Sequence, residues 1–128
     1  MFFDFLSPDE REYFLELAFL VANCDKNFHV EERRLIEFYK KETKLEDYEI
    51  KEIPLKTILE KLDSISFISK TSILLEIMSL VLADLEYDGE EQKIVNIIRD
   101  SWKISDSQFK DIIHWLKNRN IILKTENL

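Results

Sequence analysis

The stretch Ile73 to Asp84, ILLEIMSLVLAD, is apolar on nearly every side, interrupted only by Glu76 and Ser79 before it stops at an aspartate. A helix of that kind has no solvent face and packs on several sides at once. It predicts a buried central helix with the rest of the chain wrapped on it. The 128 residues include one Gly and two Pro, too few turn formers for a sandwich or barrel. The expectation is therefore an all-α fold: a single compact domain of about seven helices over residues 1–128, with a real core. With 45% apolar residues, the chain has enough to bury that disorder is not expected.

Taken in order, residues 1–6 form a short apolar arm carrying Phe2, Phe3, Phe5 and Leu6. Two readings compete for it: rings stapled onto the first helix, or an arm that touches a partner or a membrane surface. Ser7, Pro8 and Glu10 make a helix start with a capping box. Phe14, Leu17, Ala18, Val21 and Ala22 then recur at helical spacing to about Asn23–Asp25. A second helix is expected from Val30 to Lys41 and a short one within Thr43–Ile53, anchored by Leu45, Tyr48, Ile50 and Ile53. Pro54 opens another short helix. After a break at Asp63–Ser66 comes the central helix to Asp84, then a helix capped by Asp88 and closed by Trp102. Ser105 caps the last long helix, whose stripe is Phe109, Ile112, Ile113 and Leu116, ending at Asn118–Asn120. Residues 124–128 read as a frayed tail.

A shift of 59 residues places Asp25 on Asp84, Phe28 on Tyr87, Glu31–Glu32 on Glu90–Glu91, Leu35–Ile36 on Ile94–Val95, Lys44–Leu45 on Lys103–Ile104 and Asp47 on Asp106. Helical period alone explains the apolar matches but not the aspartate, the aromatic three residues later and the Glu pair. The reading is two pseudo-symmetric helix–turn–helix hairpins around the central helix. An apolar helix ending in Ala-Asp, a turn, and a helix opening with Glu-Glu, twice in a chain of this length, resembles the TerB-like family, which includes the tellurite-resistance protein TerB and a region of DjlA-like co-chaperones. Ala83, Asp84, Tyr87 and Glu91 match the family's Ala-Asp-Gly motif in one copy; Asp25, Phe28 and Glu32 match in the other. The motif glycine is replaced by Lys26 and Leu85. The resemblance implies a non-enzymatic binding or scaffold module in a stress response of the tellurite type.

Net charge is −8, which disfavours nucleic acid and suits a basic protein or a cation. Asp84, Glu86, Asp88 and Gly89 open like an EF-hand loop, but the twelfth position is the apolar Val95, so that site fails. A looser divalent-cation site remains open, with Asp25, Glu32, Asp84 and Glu91 as ligands. The competing reading is structural: Asp25 and Asp84 end helices against the dipole, at a cost of ~0.3–1 kcal/mol, and accept N–H bonds from the following turns. Glu31, Glu86, Asp88 and Glu90 form the candidate surface for a basic partner, although acidic residues in a first turn are also favourable without one. His29 could assist a metal beside Asp25; His114 reads as a rim residue. Cys24 is the single cysteine, so no disulfide framework exists, and it reads as a small buried thiol. Trp102 and Trp115 read as core or half-buried. No nucleophile elbow or phosphate loop is present, and no cofactor is expected beyond the possible cation. No apolar run reaches the ~18 residues of a membrane span, and the N-terminus is no signal peptide; the expectation is cytoplasmic. A second function fits the same charge: a small acidic inhibitor or immunity-type protein that blocks a basic enzyme.

Overall fold

The structure, a computed structural model, describes residues 2–24, 30–82 and 89–126, with side chains described for 3–24, 33–82 and 89–118. A 3-10 turn at Phe2–Phe5 leads into α1 (Pro8–Ala22), α2 (Val30–Glu42), α3 (Leu55–Lys61), α4 (Phe67–Val81), α5 (Gly89–Trp102) and α6 (Asp106–Glu126). The described residues thus hold six helices and no strand, against the expected seven or so. The missing one is Thr43–Ile53.

That segment is not helical for a physical reason. At Lys44 the backbone turns left-handed, φ 61°, and α2 closes with Leu45 N–H donating to Lys40 O at 2.8 Å and Lys44 N–H to Lys41 O at 3.1 Å. This is the paired bond pattern of a Schellman stop. The chain then meets Glu16, which points inward from α1 and is 1% exposed. Its carboxylate accepts from Tyr48 OH at 2.6 Å, Lys51 N–H at 2.8 Å and Ile53 N–H at 3.2 Å. Those amides are tied to a buried anion instead of to a helix ladder. The predicted anchors Leu45, Tyr48, Ile50 and Ile53 do pack on the core; the backbone between them is a strap.

The ends of the outer elements follow local chemistry. Ser7 accepts from Glu10 N–H at 3.2 Å while Glu10 accepts from Ser7 N–H at 2.8 Å, the full capping box. Ser66 caps α4 through Ser69 N–H at 3.1 Å. Ser105 and Gln108 make a second reciprocal pair at the start of α6. That last helix does not stop at Asn118–Asn120, as its polar residues suggested, but continues to Glu126.

The expected central helix is α4, which buries Ile73, Leu74, Ile77, Met78, Leu80 and Val81 and packs on α1, α6 and the N-terminal turn. It shares the centre. Helix α1 touches α2, α3, α4 and α5 and buries Phe14 through Ala18 without a break. The N-terminal arm packs Phe3 and Leu6 onto the core, as the staple reading expects. Phe3 is fully buried, its ring 4.9 Å from Phe14 and 6.0 Å from Tyr39, and its carbonyl accepts from Arg11 Nε at 2.9 Å. Phe5 points outward, 85% exposed.

The shift of 59 residues recurs in the local geometry. It carries the ends of α1 onto those of α4 and the start of α2 onto that of α5. It carries Ser7 onto Ser66 as N-cap. It carries the left-handed Lys44 onto Lys103, φ 55°, where Ile104 N–H donates to Arg99 O at 3.0 Å. Buried positions pair as well: Phe3 with Leu62, Phe14 with Ile73, Val21 with Leu80, Tyr39 with Ile98. The correspondence stops after Asp47 and Asp106. The first half continues into the strap, the second into α6.

Candidate functional site

The last turn of α1, the strap and the first turns of α5 enclose a cleft of about 370 Å³. Phe19, Leu20, Ile53, Pro54 and Ile94 give it apolar walls, and Glu16, Glu52, Glu90, Asn23 and Cys24 supply the polar lining. Among the described residues three carboxylates line it and no Lys or Arg does. Each is placed differently. Glu16 is buried and saturated by the strap. Glu52 is held outward by a left-handed backbone, φ 57°, because its neighbours Lys51 and Ile53 both donate to Glu16. Glu90 stands in the first turn of α5, where the helix dipole favours an anion, and pairs with Lys93 at 3.1 Å across the surface. That exposed pair contributes little, so the carboxylate is available to a competing cation.

Glu16 reaches past the cleft into the strap's chemistry. Tyr48 is pushed well above the ordinary phenol range, first by burial and then by its hydrogen bond to Glu16. Removing that proton would set two anions side by side. The Tyr48 hydroxyl is therefore locked as a donor that holds the strap behind the cleft and cannot serve as a base.

Of the residues expected to form a site, Asp25, Asp84, Glu86, Asp88 and His29 lie outside the described residues. Glu31 and Glu32 fall in the first turn of α2, with side chains outside the description. Glu90 is exposed on the cleft. Glu91, one residue on and expected as a cation ligand, is 2% exposed. Among the described residues no three His, Cys, Asp or Glu side chains are grouped to hold a metal ion. His114 is exposed on α6, its Nε2 3.0 Å from Asn118 Nδ2. Cys24 sits half-buried at the cleft wall. Trp102 is buried and Trp115 half-exposed, at 49%.

The residue that sequence reasoning missed is Glu16. A signal was present: in FLELAFLVA it interrupts the apolar stripe of a helix whose neighbours on both sides are Leu. A charge at such a position is either solvated at the edge or paid for by buried donors, and the donors lie more than thirty residues away. No described helix is long and apolar enough to cross a membrane. No protein-family model, curated protein or solved structure matches the chain.

Proposed function

We propose that the chain is a non-enzymatic binding module that takes a basic protein segment on the cleft between α1, the strap and α5. The observation that carries this reading is the lining: among the described residues, three carboxylates and no Lys or Arg, above an apolar floor. A Lys or Arg side chain suits such a site, with its charge on Glu52 and Glu90 and its stem on Ile53, Pro54 and Ile94. The −8 charge of the whole chain would steer a cationic partner toward it.

The TerB-like resemblance and the duplicated hairpin belong to the same proposal. The matched caps and left-handed stops at a spacing of 59 residues support an internal repeat; the strap and α6, which differ, are what the two copies acquired separately. In this reading the module acts as a scaffold in a stress response. The same acidic surface also supports the reading of an inhibitor or immunity-type protein, which predicts one tight basic partner.

Capture of partners by the full-length chain at low and at high salt tests the proposal. Expected is a basic partner that is retained at about 50 mM salt, reduced at about 500 mM, and lost from a Glu52→Gln/Glu90→Gln variant. A partner unaffected by both changes would overturn the cleft. A single partner that survives high salt and still needs the cleft would favour the inhibitor. Melting temperature titrated against calcium, magnesium or zinc separates the remaining alternative. A rise by mass action that disappears in Asp84→Asn would make the acidic turns a cation site.

A further inference from the structure

The cleft does not end at Ile94. Beyond it, between α3 and α5, lies a second hollow of about 560 Å³ with Leu55, Leu59 and Ile97 as its apolar walls. The two are continuous along both sides. Ile53 and Pro54 border the cleft and the next residues, Leu55 and Lys56, border the hollow. On α5 the shared wall is Glu90, Ile94, Ile97 and Ser101, spaced four, three and four residues apart. That spacing is one face of a helix, about 16 Å long. We propose that cleft and hollow are one groove, which receives an amphipathic helix of the partner with Lys or Arg toward both ends. The inference rests on the cationic-partner reading of the cleft and extends it.

The α5 row is not part of the core. Helix α5 buries Glu91, Val95, Ile98 and Trp102, whereas Ile94 is half-buried and Ile97 is 50% exposed. An apolar row left open over a concavity marks an interaction surface, and charge selects what covers it. Glu52 and Glu90 line the cleft, Glu60 and Asp63 line the hollow, and all four are exposed. Among the described residues Lys56 is the one cation on the lining. Glu90 and Asp63 have surface partners, Lys93 at 3.1 Å and Lys70 at 4.0 Å, and such exposed pairs are weak enough to yield to a competing cation. A second copy of this chain would bring another −8 against these carboxylates. The backbone selects the occupant's form. Along α3 and α5 it bonds within each helix, and the strap amides of Lys51 and Ile53 are spent on Glu16. The groove therefore offers side chains and no ladder. An extended segment on its apolar walls would lose water from its N–H and C=O groups without gaining partners. A helix carries its own bonds and presents anchors at i, i+4 and i+7, the spacing of the α5 row.

The test uses the full chain and a fluorescent synthetic peptide of about 15 residues, with Leu at i, i+4 and i+7 in its middle and Lys at both ends. One control carries proline at its centre, and another has every Lys as Glu. Expected is binding of the first peptide alone, with a rise in helical circular dichroism. It should be weakened about tenfold by Ile97→Ser, and severalfold by Glu60→Gln at low salt. Glu60 is exposed and its substitution leaves the fold intact, so it decides the test if Ile97→Ser lowers the melting temperature. Binding that is lost through Glu52→Gln/Glu90→Gln yet ignores both Ile97→Ser and Glu60→Gln would overturn the groove and leave the cleft reading standing. Binding that ignores all four substitutions would overturn both. Equal binding of the proline peptide would overturn the helical occupant, and equal binding of the Glu peptide the argument from charge. Sedimentation showing a dimer that Ile97→Ser dissolves would overturn the proposal in favour of a second copy.

Discussion

The two halves of the molecule, Phe3–Asp47 and Leu62–Asp106, share serine N-caps, helix starts and left-handed stops, yet their first long helices place an inward-bonded carboxylate one position apart. Glu16 in α1 corresponds to Leu75 in α4, and Leu17 corresponds to Glu76. Glu16 faces the segment after its own hairpin and binds it by three hydrogen bonds. Glu76 faces the other half, where its Oε2 and its carbonyl oxygen accept from Tyr39 OH at 3.0 and 3.1 Å. One carboxylate organises a strap and therefore a cleft; the other ties the halves together. With similar local geometry around them, the two carboxylates make different connections, Glu16 to the strap and Glu76 to α2.

The comparison breaks first in the core. Leu80 and Val21 occupy matched positions, 1% and 0% exposed. Leu80→Ala should cost ~2–5 kcal/mol by denaturant unfolding. Val21→Ala should cost roughly 2 kcal/mol, because fewer buried atoms are lost. A loss under about half a kcal/mol at Leu80 would mean that α4 is not buried as described. The next effect separates the halves. Glu16→Ala should cost ~2–3 kcal/mol, because two backbone N–H groups and a phenol lose their acceptor. It should also raise hydrogen exchange at Lys51 and Ile53 specifically. Leu75→Ala, at the matched half-buried position, should cost about 1–2 kcal/mol and leave those two amides protected. If both substitutions exposed the strap equally, Glu16 would not be its organiser.

Much of this fold was legible because its signals are local. Ser7 with Glu10 and Ser105 with Gln108 are short-range chemistry, and they cap the helices where their spacing says they should. The stripe through Ile73–Val81 needed only its period. The strap was not legible, because its hydrogen bonds connect Glu16 to residues 48–53 and nothing within that segment states that its amides are spoken for. Tyr48, Ile50 and Ile53 carry the apolar spacing of a short helix while taking part in something else. The continuation of α6 past Asn118 has a similar cause: Asn and Arg are poor stop signals without a glycine, and none follows. Glu90 stands where the sequence puts it, exposed in the first turn of α5. Glu91 beside it is buried, because a hundred-degree step around a helix turns one of two adjacent residues inward.

Alkaline pH gives a smaller separation. The fold holds Tyr48 protonated, with its pKa raised above the ordinary phenol value, so the sign is fixed. The stabilisation is whole below about pH 10, the unfolded value, and is lost as pH rises from there toward the raised folded value. Tyr48→Phe should cost about 1 kcal/mol at neutral pH through the missing hydrogen bond. Its deficit against the native chain should narrow above about pH 10. Tyr39→Phe, which removes the link to Glu76, should likewise cost about 1 kcal/mol at neutral pH. A Tyr48→Phe deficit that stays constant across the alkaline range would show that the phenol is not held by Glu16.

The smallest expected effect tests whether the two stops are the same device. Lys44 and Lys103 both adopt left-handed backbone, φ 61° and 55°, and both side chains are exposed. An L-residue in that conformation is strained by ~1–2 kcal/mol, and glycine is not. Part of the relief is offset by the greater freedom that glycine has when unfolded. Lys44→Gly and Lys103→Gly should therefore each stabilise by ~0.5–1 kcal/mol. The closing bonds, Leu45 N–H to Lys40 O and Ile104 N–H to Arg99 O, involve backbone only and survive the change. The sites share no partner, so the double variant should show the sum. Glu52, at φ 57°, supplies a contrast: it lies in the strap and has no left-handed counterpart in the second half. Glu52→Gly should relieve the same strain but remove a carboxylate from the cleft, so it should gain stability while losing a cationic partner. Equal gains at Lys44 and Lys103, measured by chemical unfolding, would establish that both hairpins end by one mechanism. A loss at either would mean that its lysine side chain, and not the backbone turn, is what that half retains.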